Sequence, residues 1–183
     1  MVRNGVDTHQ LFATLDLLTS RPELGHFRLR ANNRWIDGTH NRSTIRGFHA
    51  VGAEDTSRDE AFELDAGAPA VLLGTDTGAT PAEHLLHALA ADLTTAIVYV
   101  AAARRVELES VDSEVVGDVD VRGCLGLDSA PQGGFERVGV TVRITGDAPE
   151  PMLRAIAEHA AARSVVCGML TRGLPVDVDV VAA

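Results

Sequence analysis

The sequence predicts an α+β fold. Two runs, 106–121 (VELESVDSEVVGDVDV) and 136–145 (ERVGVTVRIT), alternate apolar and polar residues with period two, as strands with one wet face do. No helical run separates them. Upstream lies one long apolar helical run, preceded by an Asp-Gly hairpin signal at Asp37-Gly38. Strands that cluster with strands favour α+β over a doubly wound sheet, in which strands and helices alternate.

The elements follow in order. Leu11, Leu15 and Leu18 fall on one stripe of a short helix over 7–19, which Asp7 can cap. Residues 26–48 read as a hairpin, HFRLRANNRW and THNRSTIRGF turning at Ile36-Asp37-Gly38. Residues 52–69 are polar and turn-rich, with AFELD as a short strand. Thr80-Pro81-Ala82-Glu83 places a cap, a proline at the first helical position and a glutamate at the third. This is a capping box, and the helix it opens should run from 81 to 104, with Arg104 and Arg105 at its C-terminal end. The two long strands come next, joined by the turn formers of RGCLGLDSAPQGGF. Asp147 is expected to cap a second helix that buries Met152, Leu153, Ile156, Ala157 and Ala160. Ser164 should start a short helix through Leu170, Gly173 should end it, and LPVDVDVV should form a closing strand.

A length of 183 residues, 45% apolar and 23% charged, suits one soluble domain with a substantial core. Within it, 1–24 reads as an N-terminal extension, 25–80 as a sheet region and 81–183 as a helix-containing lobe. The net charge of −10 argues against a nucleic-acid or anionic-membrane surface. Charges interrupt every run of membrane-spanning length, and the N-terminus lacks a signal core, so a cytoplasmic protein is expected. Cys124 and Cys167 are in no CxxC spacing. His84 and His87 share a helix face without a third ligand at a diagnostic distance, so neither a metal nor another cofactor is expected.

The run LLHALAADLTTAIVYVAAA, 85–103, is apolar on nearly every side, yet Asp92 sits near its middle. A helix apolar all round needs cover on every side, and one chain of this size does not readily supply it. A homodimer is therefore expected, against the alternative of a helix enclosed by its own sheet. An unpaired carboxylate in a dry core would cost several kcal/mol, so Asp92 must find a partner, water or a raised pKa.

Taken together, ANNRWIDGTHNRSTI, EDTS, VLLGTDTGATPAEHLLHALAADLTTAIVYVAAARRVELESV, GDVDVRGCLGLD and RSVVCGMLTRGLPV resemble the OsmC/Ohr family over roughly residues 25–180. The resemblance implies an intertwined homodimer with long buried central helices packed on antiparallel sheets, and two pockets at the interface. It also implies organic hydroperoxide reduction. In that chemistry a cysteine thiolate in the long helix attacks the O–O bond, and a second cysteine closes a disulfide that an external dithiol reopens. An arginine and a glutamate hold the first cysteine ready.

Both sulfur positions are substituted. HALAAD puts Asp92 where the attacking cysteine would stand, and RSVV puts Ser164 where the resolving one would. A carboxylate has no equivalent of the sulfenate cycle. By the same resemblance, Arg34 or Arg42 supplies the arginine and could pair with Asp92, while Glu83 lies near the expected glutamate. Its capping role already accounts for it. Cys167, one turn beyond Ser164, is the best candidate for a relocated thiol, although a small buried packing residue explains it as well. Nothing supports a Cys124–Cys167 redox pair. A Ser164–His159–Asp92 hydrolase reading lacks a nucleophile elbow. Three functions stay open: a small, mostly apolar ligand bound in the inherited pocket, a peroxidase using a relocated cysteine, and a non-redox enzyme with Asp92 as acid or base.

Overall fold

The computed structural model describes residues 1–127 and 133–182. Contacts divide the chain into two compact units: Met1 with Asp7–Leu85, and Val2–Val6 with Leu86–Ala183. Part of the turn-rich run after Cys124 lies outside the described residues.

A short ribbon, β1 (Val2–Arg3) and β2 (Val6–Asp7), leads into α1 (Thr8–Ser20). As predicted, Asp7 caps α1, its Oδ1 accepting from the His9 and Gln10 N–H groups. The predicted hairpin is β3 (Asn32–Asp37) and β4 (His40–Ile45), antiparallel, with Gly38 at φ +52° in the turn. The AFELD strand is β7 (Phe62–Ala66), which pairs with the other edge of β4 and completes a three-stranded sheet. Between them lies a hairpin that sequence reading missed, β5 (Phe48–Ala50) and β6 (Ala53–Asp55). Its two turn residues, Val51 and Gly52, both have positive φ, the backbone of the tight hairpin turn. A β-branched residue is uncommon there, which is why the signal was invisible.

Helix α2 spans Pro81–Ala103. Its capping box forms as expected: the Glu83 N–H donates to Thr80 Oγ1 at 3.2 Å, and Glu83 Oε2 accepts from the Thr80 N–H at 2.7 Å. In the second unit, β8 (Leu108–Val119) and β9 (Phe135–Gly146) pair antiparallel along nearly their whole length. Gly117 is required there, because a Cβ on it would lie 2.4 Å from the Phe135 ring. A four-residue helix, α3 (Val121–Cys124), replaces the expected end of the strand, capped by Asp120 through the Arg122 N–H. Helix α4 (Glu150–Ala161) buries Leu153, Ile156 and Ala160. These join Ile97, Ala101 and Val106 in the core, flanked by Val111, Val142 and Ile144 of the sheet.

Two local expectations are corrected. Asp147 does not cap α4, which starts after Pro149 without a side-chain cap; Asp147 Oδ1 accepts instead from the Glu107 N–H at 2.7 Å, tying the start of one strand to the end of the other. Residues 174–182 form no strand: the alternating VDVDV pattern is present, but Val176, Val178 and Val180 are exposed and no described strand pairs with them. Alternation licenses a strand only where a neighbour satisfies its backbone. Helix α2 is apolar almost throughout. Within the chain it is covered on one side only, by burial of Leu89, Leu93, Ile97, Ala101 and Ala102. His87, Ala91, Thr95 and Tyr99, four apart and on the opposite face, are exposed. By length and composition α2 could cross a membrane; Leu89, Leu93 and Ile97 are buried within the chain.

Candidate functional site around Asp92

Asp92 is half-buried on the flank of the α2 face that enters the core. Helix α5 (Val165–Arg172) begins against it. Ser164 is the N-cap of α5, and its Oγ accepts from the Cys167 N–H at 2.9 Å. The same hydroxyl donates to Asp92 Oδ2 at 2.5 Å, and the Val166 N–H donates to that oxygen at 3.0 Å. Asp92 and Ser164 thus satisfy two backbone donors in the first turn of α5. A negative carboxylate there also opposes the positive end of the helix dipole. Ser164 is only 5% exposed. Asp92 Oδ1 makes no hydrogen bond among the described residues and is not a buried orphan, so that oxygen is the accessible one.

The arrangement limits the chemistry. The carboxylate is within general-base distance of the Ser164 hydroxyl, but a hydroxyl this enclosed is closed to a substrate. His159 does not join them: its Nε2 lies 2.6 Å from Arg163 Nη1, and burial, then Arg163 and Arg104, hold its pKa below the ordinary histidine value. Cys167 is half-buried, and its backbone amide is tied to Ser164. Cys124 is exposed at the end of α3, with its thiol donating to the Val121 carbonyl. Both thiols are free.

The first unit gathers the other predicted residues separately. Arg34 and Arg42 face each other in the β3–β4 register. Arg34 is exposed. Arg42 is engaged by Asp65, with Nε to Oδ1 at 2.9 Å and Nη2 to Oδ2 at 3.1 Å, and reaches Glu63 at 3.4 Å. His40 adds a contact to Asp65 at 2.7 Å. Together, Arg42 first and then His40, they lower the Asp65 carboxyl to about 2. Within its own unit Arg42 is engaged by this ladder. Glu83 is consumed by its capping box, and His84 Nε2 lies 3.1 Å from the Asp65 carbonyl. Sequence reading missed Asp65, His40 and the Val166 amide. The first two are aligned by strand register and the third by the approach of α5 to α2, neither of which leaves a local motif.

A model of the OsmC-like protein family matches residues 74–179. The chain belongs to the OsmC-like family. Asp92, Ser164 and Cys167 all lie in the matched region. Solved structures share the fold at low identity. An OsmC-like protein of Mycoplasma pneumoniae superposes with a TM-score of 0.61 at 14% identity, covering 80% of this chain and 89% of that one. The organic hydroperoxide resistance protein OsmC of Legionella pneumophila superposes with a TM-score of 0.53 at 21% identity, covering 79% and 89%. No curated protein matches. This OsmC-like chain therefore carries the family fold, with an oxygen pair, Asp92 and Ser164, bridging α2 and α5.

Proposed function

We propose that this OsmC-like protein works without the thiol peroxidase cycle, as a cytoplasmic homodimer that binds a small, mostly apolar ligand beside Asp92. One observation carries the reading: the Asp92–Ser164 hydrogen bond. The resemblance assigns these two positions to a pair of sulfurs that would alternate between thiol and disulfide. Here they hold a carboxylate and a hydroxyl locked in a helix cap. The cap has no redox state to cycle through, and it spends Oδ2 and the Ser164 hydroxyl on structure. Asp92 Oδ1 remains as a polar contact for a ligand, beside the apolar face of α2.

The dimer rests on the exposed stripe His87, Ala91, Thr95 and Tyr99. Ala91 and Thr95 are small enough for a second helix to approach closely, and an otherwise apolar helix left open on this side calls for cover.

A second reading keeps the peroxidase, with Cys167 as the thiol. Its support is the direct bond from the Cys167 amide to the Ser164 hydroxyl, which places the residue next to the Asp92 pair. One assay separates the two. Purified protein is mixed with cumene hydroperoxide and a dithiol, beside a Cys124→Ser/Cys167→Ser variant. The expected result is no turnover above the uncatalysed rate in either. Turnover in the wild type that disappears in the variant establishes the relocated thiol instead. Turnover that survives the variant but is lost in folded Asp92→Asn points to acid–base chemistry at Asp92.

A further inference from the structure

The first unit holds a recess of about 370 Å³ lined by Leu29, Arg30, Ala31, Ile45, Gly47, Phe48 and Arg58. That volume is at the lower end for small-molecule sites. Its apolar side chains are Leu29, Ile45 and Phe48, with Ala31 beside them, and its charges are both arginines. Of these two arginines, Arg30 has a carboxylate partner in Glu54, and Arg58 forms no ion pair among the described residues.

The two guanidiniums are held differently. Arg30 is fixed by a two-pronged pair with Glu54, Nη1 to Oε1 at 3.2 Å and Nη2 to Oε2 at 2.5 Å. Arg58 lies over two phenyl rings, 4.8 Å from the Phe48 centroid and 5.3 Å from that of Phe62. The loop carrying it is set by Asp55, whose Oδ1 accepts from the Ser57 N–H and hydroxyl. Arg58 Nη1 donates to the Arg46 carbonyl, and Arg46 donates in return to the Arg58 and Asp59 carbonyls. Arg58 Nε and Nη2 make no hydrogen bond among the described residues. A planar cation is thus pre-oriented by aromatic stacking, its remaining donors uncommitted, at the edge of an apolar recess.

We propose that this recess binds an organic carboxylate carried on a short apolar chain. The carboxylate would take the free edge of Arg58, and the chain would lie on Leu29, Ile45 and Phe48. The recess is built from residues of the first unit alone.

Calorimetric titration of the full-length protein with sodium octanoate, octan-1-ol and sodium acetate tests this. Octanoate should bind, with the alcohol and acetate each weaker by about tenfold or more, since each lacks one half of the match. Arg58→Gln and Leu29→Gln should each weaken octanoate by about tenfold. Leu29 is 74% exposed, so its replacement leaves folding intact and covers the case in which Arg58→Gln unfolds. Arg143→Gln, which removes an exposed cation on β9 in the second unit, should leave octanoate affinity unchanged. The proposal is overturned if octanoate produces no binding at millimolar concentration, if octan-1-ol binds equally well, if both recess variants bind like wild type, or if Arg143→Gln abolishes binding.

Discussion

At the scale of single residues, position 92 holds a carboxylate inside the long helix α2. A cysteine there could exchange electrons; an aspartate can only accept protons and hydrogen bonds. The structure gives it two donors, a hydroxyl and a backbone amide, and both belong to the start of α5. Its buried half is therefore paid in kind by hydrogen bonds, and no counter-cation is needed. Removing the hydroxyl exposes the coupling. Ser164→Ala should lower unfolding stability by about 1–2 kcal/mol in urea titrations, because it removes an N-cap and strips Asp92 of a donor at once. In a double-mutant cycle with Asp92→Ala, the double variant should lose less than the sum of the two single losses, since one bond is counted in both. Additive losses would show that the two residues act independently.

At the scale of elements, local chemistry succeeded where an element carries its own start and stop. The capping box of α2, the Asp7 cap of α1, the Ser164 cap of α5 and the Asp-Gly turn of β3–β4 all form as the sequence implies. It failed where an element depends on a distant neighbour. Asp147 has the chemistry of a cap but is drawn to the Glu107 amide across the β8–β9 pair. The β4–β7 ladder shows the same dependence, since Arg42 and Asp65 are partners only through register. That ladder makes a pH prediction. The Asp65 carboxyl titrates at about 2 in the folded chain, below its ordinary 3.8, so its contribution is complete above 3.8 and drains away as pH falls towards 2. Asp65→Asn should therefore flatten the acid limb of the stability profile over that interval, measured as the urea midpoint against pH. An acid limb as steep as that of the wild type would show that other carboxylates govern it.

At the scale of the whole molecule, the unsatisfied surface is the guide. The face of α2 that carries His87, Ala91, Thr95 and Tyr99 is open, although the helix is apolar almost throughout. Tyr99 is 49% exposed near the middle of that helix's second half. If this face is the dimer contact, light scattering should give twice the chain mass for the wild type. Tyr99→Arg should then shift the protein towards monomer, because a charge would be buried in an apolar seam. A wild type that runs as a monomer would remove the dimer from the proposed function.

The amino-acid sequence by itself determined the α+β class, the family, the limits of α2 and α5, and the oxygen side chains at positions 92 and 164. Each of these is written in residue type and short-range spacing. Only the tertiary structure decided what Asp92 touches, that Arg42 belongs to Asp65, and that the VDVDV tail pairs with no described strand. The physical reason is common to all three: a polar group must be satisfied, but which partner satisfies it depends on how elements far apart in sequence are brought together.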